Sequence, residues 1–356
     1  YMLIYSRRKQ NSFFNLLSSP AIHSITPPRS STKAELPHSD QHTTAATLSL
    51  LFIQATILTS SFSYIRDTQN LIIMDIQQSV TNALLAVHAP NTPHDIRAQA
   101  GQFLEQFKQR HDCTHLSLEL FFRTTASPDT TPLRHFALHA IEASFKQQWY
   151  NWDKTTQENI KNAVVEIATN KVGDILSEPL AIREKVVSLL VELAKREWPQ
   201  RWPTFMDIVI SLCRAGYTQA DVGVRVLCRL AEDGTSPDFN TELPVKRRHE
   251  ILSALHTTCD QFLHQLLHLL TSQYNDFVQS QRQNRRAQML VESTLHTLLY
   301  LCEWIPLDKI YNPAQASVDL RQIFVTFMQE SSTSIRILAT RCMKCCVSRH
   351  KVFSPL

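Results

Sequence analysis

From Met74 onward, apolar residues recur every three or four positions in segment after segment, the pattern of amphipathic helices. Ile96, Ala100, Phe103, Leu104 and Phe107 form one stripe behind Thr92-Pro93, and Leu133, Phe136, Ala137, Ala140, Ile141 and Phe145 form another behind Thr131-Pro132. Proline suits the first turn of a helix, where its missing N–H is not needed. Asp153 and Thr218 stand as N-caps, and Pro179, Pro203 and Pro244 mark further starts. A long stripe from Leu252 to Phe277 reads as one helix, with Val291, Leu295, Leu298, Cys302 and Ile305 as its partner. A last pair covers 317–329 and 333–348.

Six pairs in the residues after 73 give about 47 residues per pair, at the upper end of the HEAT repeat. No single pair can bury its own stripe, so stacking is required. The predicted fold is all-α: a right-handed superhelical α-solenoid of about six HEAT-type antiparallel helix pairs. Glycine supports this, because the chain has only 5. Hairpin turns and phosphate loops depend on glycine, and neither a dinucleotide fingerprint nor a phosphate-loop motif is present.

Residues 1–73 differ in kind. They hold 20 Ser/Thr and no helical or strand period, which reads as a disordered segment upstream of a native start at Met74. Their apolar run, Ala45 to Phe62, is near the lower limit for a membrane span but carries Thr47, Ser49, Gln54, Thr56, Thr59 and Ser60, so no membrane insertion is expected.

Charge and candidate chemistry narrow the function. The net charge of +4 is concentrated in the first 73 residues, so the helical part presents no strong basic field. The eight cysteines lack framework spacing and suit a reducing compartment. Cys342, Cys345, Cys346 and His350 offer one Cys-x-x-Cys without a second pair, and helical packing accounts for them. His264 and His268 share a helix face but belong to no metalloprotease motif. No metal, no cofactor and no catalytic activity are expected.

The most specific stretch is Leu190 to Pro203, ending Glu197-Trp198-Pro199-Gln200-Arg201-Trp202-Pro203. Trp198, Pro199, Trp202 and Pro203 can stop one helix, anchor a sharp turn and start the next. This stretch resembles the corresponding turn in the exportin branch of the importin-β (karyopherin-β) superfamily. Phe103–Lys108, Leu133–Glu142 and Trp149-Tyr150-Asn151-Trp152 resemble that superfamily's N-terminal domain. Val226–Asp233 and Leu243–Ile251 are most similar to the branch's exporters of structured small RNA. On this basis 74–153 are identified as importin-β N-terminal-like pairs, 154–304 as exportin-like pairs, and 305–356 as a further pair of an array that runs on beyond Leu356.

The resemblance implies a non-enzymatic nuclear transport receptor that shuttles between nucleus and cytoplasm. Its implied partners are Ran-GTP, cargo RNA or protein, and FG-repeat nucleoporins. Ran would meet the polar faces of early inner helices, where Arg134, Glu142, Lys146, Arg183, Glu184, Glu192 and Arg196 stand. Duplex RNA would meet Lys246, Arg247, Arg248, Arg282, Arg285 and Arg286 through phosphate contacts. The alternatives are an exportin of protein cargo only and a HEAT scaffold unrelated to transport, because fold alone does not fix function.

Overall fold

A computed structural model describes residues 70–235, 244–306, Lys309 and 320–353. The Ala45–Phe62 run lies outside them. The chain divides into two units at Ile76/Gln77; of the first, residues 70–76 are described and are helical. Helix α1 is 70–88, and α2 is His94–Gln109. Five pairs follow: α3 Cys113–Arg123 with α4 Thr131–Gln148, α5 Lys154–Glu166 with α6 Leu180–Glu197, and α7 Phe205–Ala215 with α8 Tyr217–Thr235. After α9, Val245–Thr257, come α10 Cys259–Gln279 with α11 Arg285–Trp304, and α12 Leu320–Met328 with α13 Thr333–Phe353. The described residues contain no strand.

The second helices of successive pairs, α4, α6, α8, α11 and α13, pack side by side in a row. Their side-chain contacts show a parallel register. Ser188 bonds to Glu142 at a separation of 46 residues, and Cys342 and Arg349 reach the carbonyls of Leu295 and Cys302 at 47. Helices that meet again one pair later, in the same direction, make a solenoid. Between α8 and α11 the separation grows to 68 and 73 residues, because α9 intervenes. Helix α9 stands outside the pairing and packs on α8 and α10.

Most of the expected stripes form the core. Those of α4, α6 and α11 are buried throughout. Asp153 caps α5 by accepting the amide of Thr156 at 2.7 Å. Three expectations change, and one helix is additional to them. Helix α3 was not apparent as an amphipathic stripe, because it is buried on most of its circumference, including Cys113, Leu116, Leu118, Leu120 and Phe121. On α2, Ile96 and Phe103 remain exposed. Thr218 lies inside α8 rather than capping it. The run from Leu252 to Phe277 is two helices: Thr258 ends α9 and begins α10, its amide and hydroxyl both returned to the Ala254 carbonyl.

One glycine sets a helix crossing. A Cβ on Gly223 of α8 would lie 2.8 Å from the Cys213 sulfur and 3.0 Å from the Val209 carbonyl of α7. Only a hydrogen fits where these helices touch.

Candidate functional site

The seams of the second-helix row carry most of the residues expected to face Ran. Between α4 and α6, Glu142 accepts from Lys185 at 2.6 Å and from Ser188 at 3.1 Å. Burial alone would raise this carboxyl, but hydrogen bonds from His139 and Lys185, with the Lys185 charge, hold it down to about 2. Nearby, Arg134 pairs with Glu178 at 2.5 Å and lies over the Phe121 ring. Glu178 also accepts the Gly173 amide at 2.7 Å.

Between α6 and α8, Asp221 pairs with Arg183 and, at 2.9 Å, with Arg225. Arg225 reaches on to Glu184 at 2.5 Å. Two to three turns along, Lys195 bridges Glu192 and Asp233, and Arg196 pairs with Glu192 at 2.6 Å. Burial favours neutral Glu192, and the opposing bonds from Arg196 and Lys195 keep its carboxyl below the ordinary range. The seam opens outward into two shallow depressions. One, of about 260 Å³, is lined by His135, Glu184, Lys185, Ser188 and Arg229; the other, of about 380 Å³ beside α11, by Glu184, Arg225, Arg229, Glu232, Glu292 and His296. Glu184 and Arg229 border both, so the surface is one continuous stripe of both signs.

The expected Ran-facing residues divide accordingly. Arg134 and Arg183, expected on a solvated face, are 1% and 3% exposed and are consumed by buried carboxylates. Glu192 is buried as well. Glu142 and Arg196 sit half-buried in the seams, while Lys146 and Glu184 are exposed. Lys185, Asp221, Arg225, Arg229 and Asp233 were missed. Four of them were readable: Asp221, Arg225, Arg229 and Asp233 recur at every fourth position of α8, one face of one helix.

The two basic clusters do not converge. Arg247 turns inward and donates to the carbonyls of Lys195, at 2.7 Å, and Trp198. Lys246 is exposed and Arg248 half-buried. Arg282 pairs with Glu330 at 2.7 Å, Arg286 with Asp174 at 2.8 Å, and Arg285 donates to Gln288. Asn284 beside them bonds to Tyr217 at the start of α8, whereas Arg247 clasps the turn after α6. The clusters therefore lie toward opposite ends of α7, a helix about 16 Å long.

Trp198 and Trp202 are buried, both against Phe205, with ring centroids 6.0 and 4.9 Å from it. The Trp198-Pro199 peptide is cis. Glu197, at the end of α6, accepts the Trp149 indole N–H at 2.9 Å and pairs with Arg201 at 3.0 Å. The turn thus ties α4, α6, α7 and α9 together. Among the described residues, no group of three or more His, Cys, Asp or Glu is placed to hold a metal ion.

The sequence that builds this array has known relatives. A family profile described as Exportin 1-like protein matches residues 179–343, from the start of α6 into α13. Human Exportin-5 is 28% identical over 279 residues, covering 76% of this chain and 22% of its own length. Mouse Exportin-5 is 30% identical over 240 residues, covering 65% of this chain and 19% of its own. Exportin-1 of Schizosaccharomyces pombe is 24% identical over 219 residues. Over most of its helical length the chain is thus similar to exportins. It spans about one fifth of the length of the exportins it matches. The profile match covers the α6–α8 seam and both Trp-Pro steps. No described helix is long and apolar enough to cross a membrane.

Proposed function

We propose that this chain is the Ran-engaging portion of a nuclear export receptor and carries out no chemistry of its own. The receptor binds Ran-GTP and cargo in the nucleus, crosses the pore through FG-repeat nucleoporins, and releases cargo in the cytoplasm. Ran-GTP meets the charged stripe of α4, α6 and α8 around Glu142, Lys185, Glu184 and Arg229. The observation that carries this reading is the position of the family match: it begins at α6 and contains the stripe's α6–α8 portion. A surface with both signs interspersed favours one charge-complementary protein over a polyanion. The similarity to Exportin-5 supports structured small RNA or tRNA as cargo, alone or with proteins, and the exposed Lys246 is the basic candidate least committed to internal contacts.

The test is a pull-down of the 356-residue chain with Ran locked in its GTP form and with Ran-GDP, each with and without a hairpin RNA. Retention of Ran-GTP alone is expected, and cargo and Ran should tighten each other by the same factor. Equal retention of both nucleotide forms, or RNA binding indifferent to Ran, would favour a HEAT scaffold unrelated to transport.

A further inference from the structure

Four of the eight cysteines converge in the seam between α11 and α13, a place that the transport reading does not use. Cys302 comes from α11, and Cys342, Cys345 and Cys346 from α13. Two contacts fix the register there. The Cys342 thiol points to the Leu295 carbonyl at 3.5 Å, and Arg349 donates to the Cys302 carbonyl at 2.5 Å. Cys346 lies between them, four residues after Cys342 and three before Arg349, on the same helix face. Its thiol is hydrogen-bonded to that of Cys302.

We infer that Cys302 and Cys346 are an oxidisable dithiol, a modification site at which hydrogen peroxide welds α11 to α13 through a disulfide. The two cysteines are buried in one seam, within a turn of each other in register, and belong to helices of consecutive pairs, so the bond would join neighbours of the array. The roles are unequal. The hydrogen bond from Cys302 favours the thiolate of Cys346, with Arg349 adding to it against burial. The same bond, with burial, keeps the proton on Cys302. Cys346 is therefore the attacking sulfur and Cys302 the resolving one. In the first step the Cys346 thiolate attacks one peroxide oxygen; an S–O bond forms, the O–O bond breaks, and hydroxide leaves to become water. In the second, the Cys302 sulfur attacks the sulfenic sulfur; an S–S bond forms, the S–O bond breaks, and the hydroxyl departs with the thiol proton as water. Two thiols lose two electrons, and one peroxide becomes two waters. Burial of both thiols slows the reaction and excludes bulky reagents, whereas peroxide is close to water in size.

The full 356-residue chain would be reduced, exposed to hydrogen peroxide, denatured, alkylated and mapped by mass spectrometry. The expected result is loss of two hydrogens, a Cys302–Cys346 linked peptide, reversal by dithiothreitol and a higher melting temperature for the oxidised form. In Cys302→Ser the link should vanish and dimedone should label Cys346. Eight thiols still open to alkylation after peroxide, oxidation confined to half-exposed Cys345, or a link joining other cysteines would overturn the proposal. Should Cys302→Ser fail to fold, the wild-type map decides alone.

Discussion

At the scale of single residues, the decisive feature is the buried arginine. Arg134 and Arg183 look in the sequence like solvated charges on polar faces. Their partners, Glu178 and Asp221, lie 44 and 38 residues away, so no local pattern announces them. Removing one member of such a pair strands the other without water. Glu178→Ala should cost about 3–5 kcal/mol of unfolding free energy in urea titration, whereas the double change to methionine at Arg134 and Glu178 should recover most of it. A small loss for the single change would show that water reaches the arginine. Acid sensitivity belongs to this scale too. Glu142 and Glu330 are held down to about 2 in the folded chain, against an ordinary value of 4.5. Glu330 owes this first to Arg282, which overcomes burial with help from the Tyr274 hydroxyl. Between 4.5 and 2 the unfolded chain therefore binds more protons, and stability declines as pH falls through that window. Above it the contribution is complete. Urea midpoints should be flat near neutrality and drop in the acid range, and Glu330→Gln should shallow that drop; an unchanged slope would remove Glu330 from the cause.

At the scale of elements, the helices were largely legible because their apolar stripes and proline starts are local signals. The exceptions are physical. Helix α3 has only a narrow polar edge, His115, Glu119 and Arg123, to mark its period, and the stripe from Leu252 to Phe277 runs on across a break that depends on one threonine. Site legibility was poorer. The i, i+4 charges of α8 could be read, but not which of them face α6 or which turn toward solvent. Packing also constrains where the helices cross. Gly223→Ala would press a methyl against the Cys213 sulfur and the Val209 carbonyl, so α7 and α8 must part. Overpacking of this kind costs about 1–3 kcal/mol, read as a lower urea midpoint with helicity largely retained by circular dichroism. The same substitution at Gly101, where a Cβ meets nothing within 4 Å, should leave the midpoint unchanged or raised. Equal effects at both sites would mean that the α7–α8 crossing yields easily.

At the scale of the whole molecule, the burial of Arg183 decides how the partner surface should be probed. Reversing its charge would disturb the α6–α8 seam and confuse unfolding with lost recognition. Glu184→Lys with Arg229→Glu is the better pair, since these residues border both depressions and are exposed outer members of the network, reached through Arg225 and Asp233, rather than buried ones. Binding of Ran-GTP should weaken by about 1 kcal/mol, with an altered dependence on salt and an unchanged melting temperature. Unchanged affinity and salt slope would move the Ran surface elsewhere.

The displaced register between α8 and α11 carries a different lesson, about how much chain an array can absorb. Neighbouring second helices elsewhere meet after 38 to 47 residues, yet here after 68 to 73, with α9 lying in the extra length. Loop-closure entropy grows only with the logarithm of length, so the longer excursion costs about 0.4 kcal/mol more than a standard one. One ordinary hydrogen bond offsets that. The spacing of repeats along the sequence is thus a weakly held quantity, while the match between facing helix surfaces is a strongly held one. Such an architecture can accept a whole new helix between two old neighbours, and with it new surface, without renegotiating the contacts on either side.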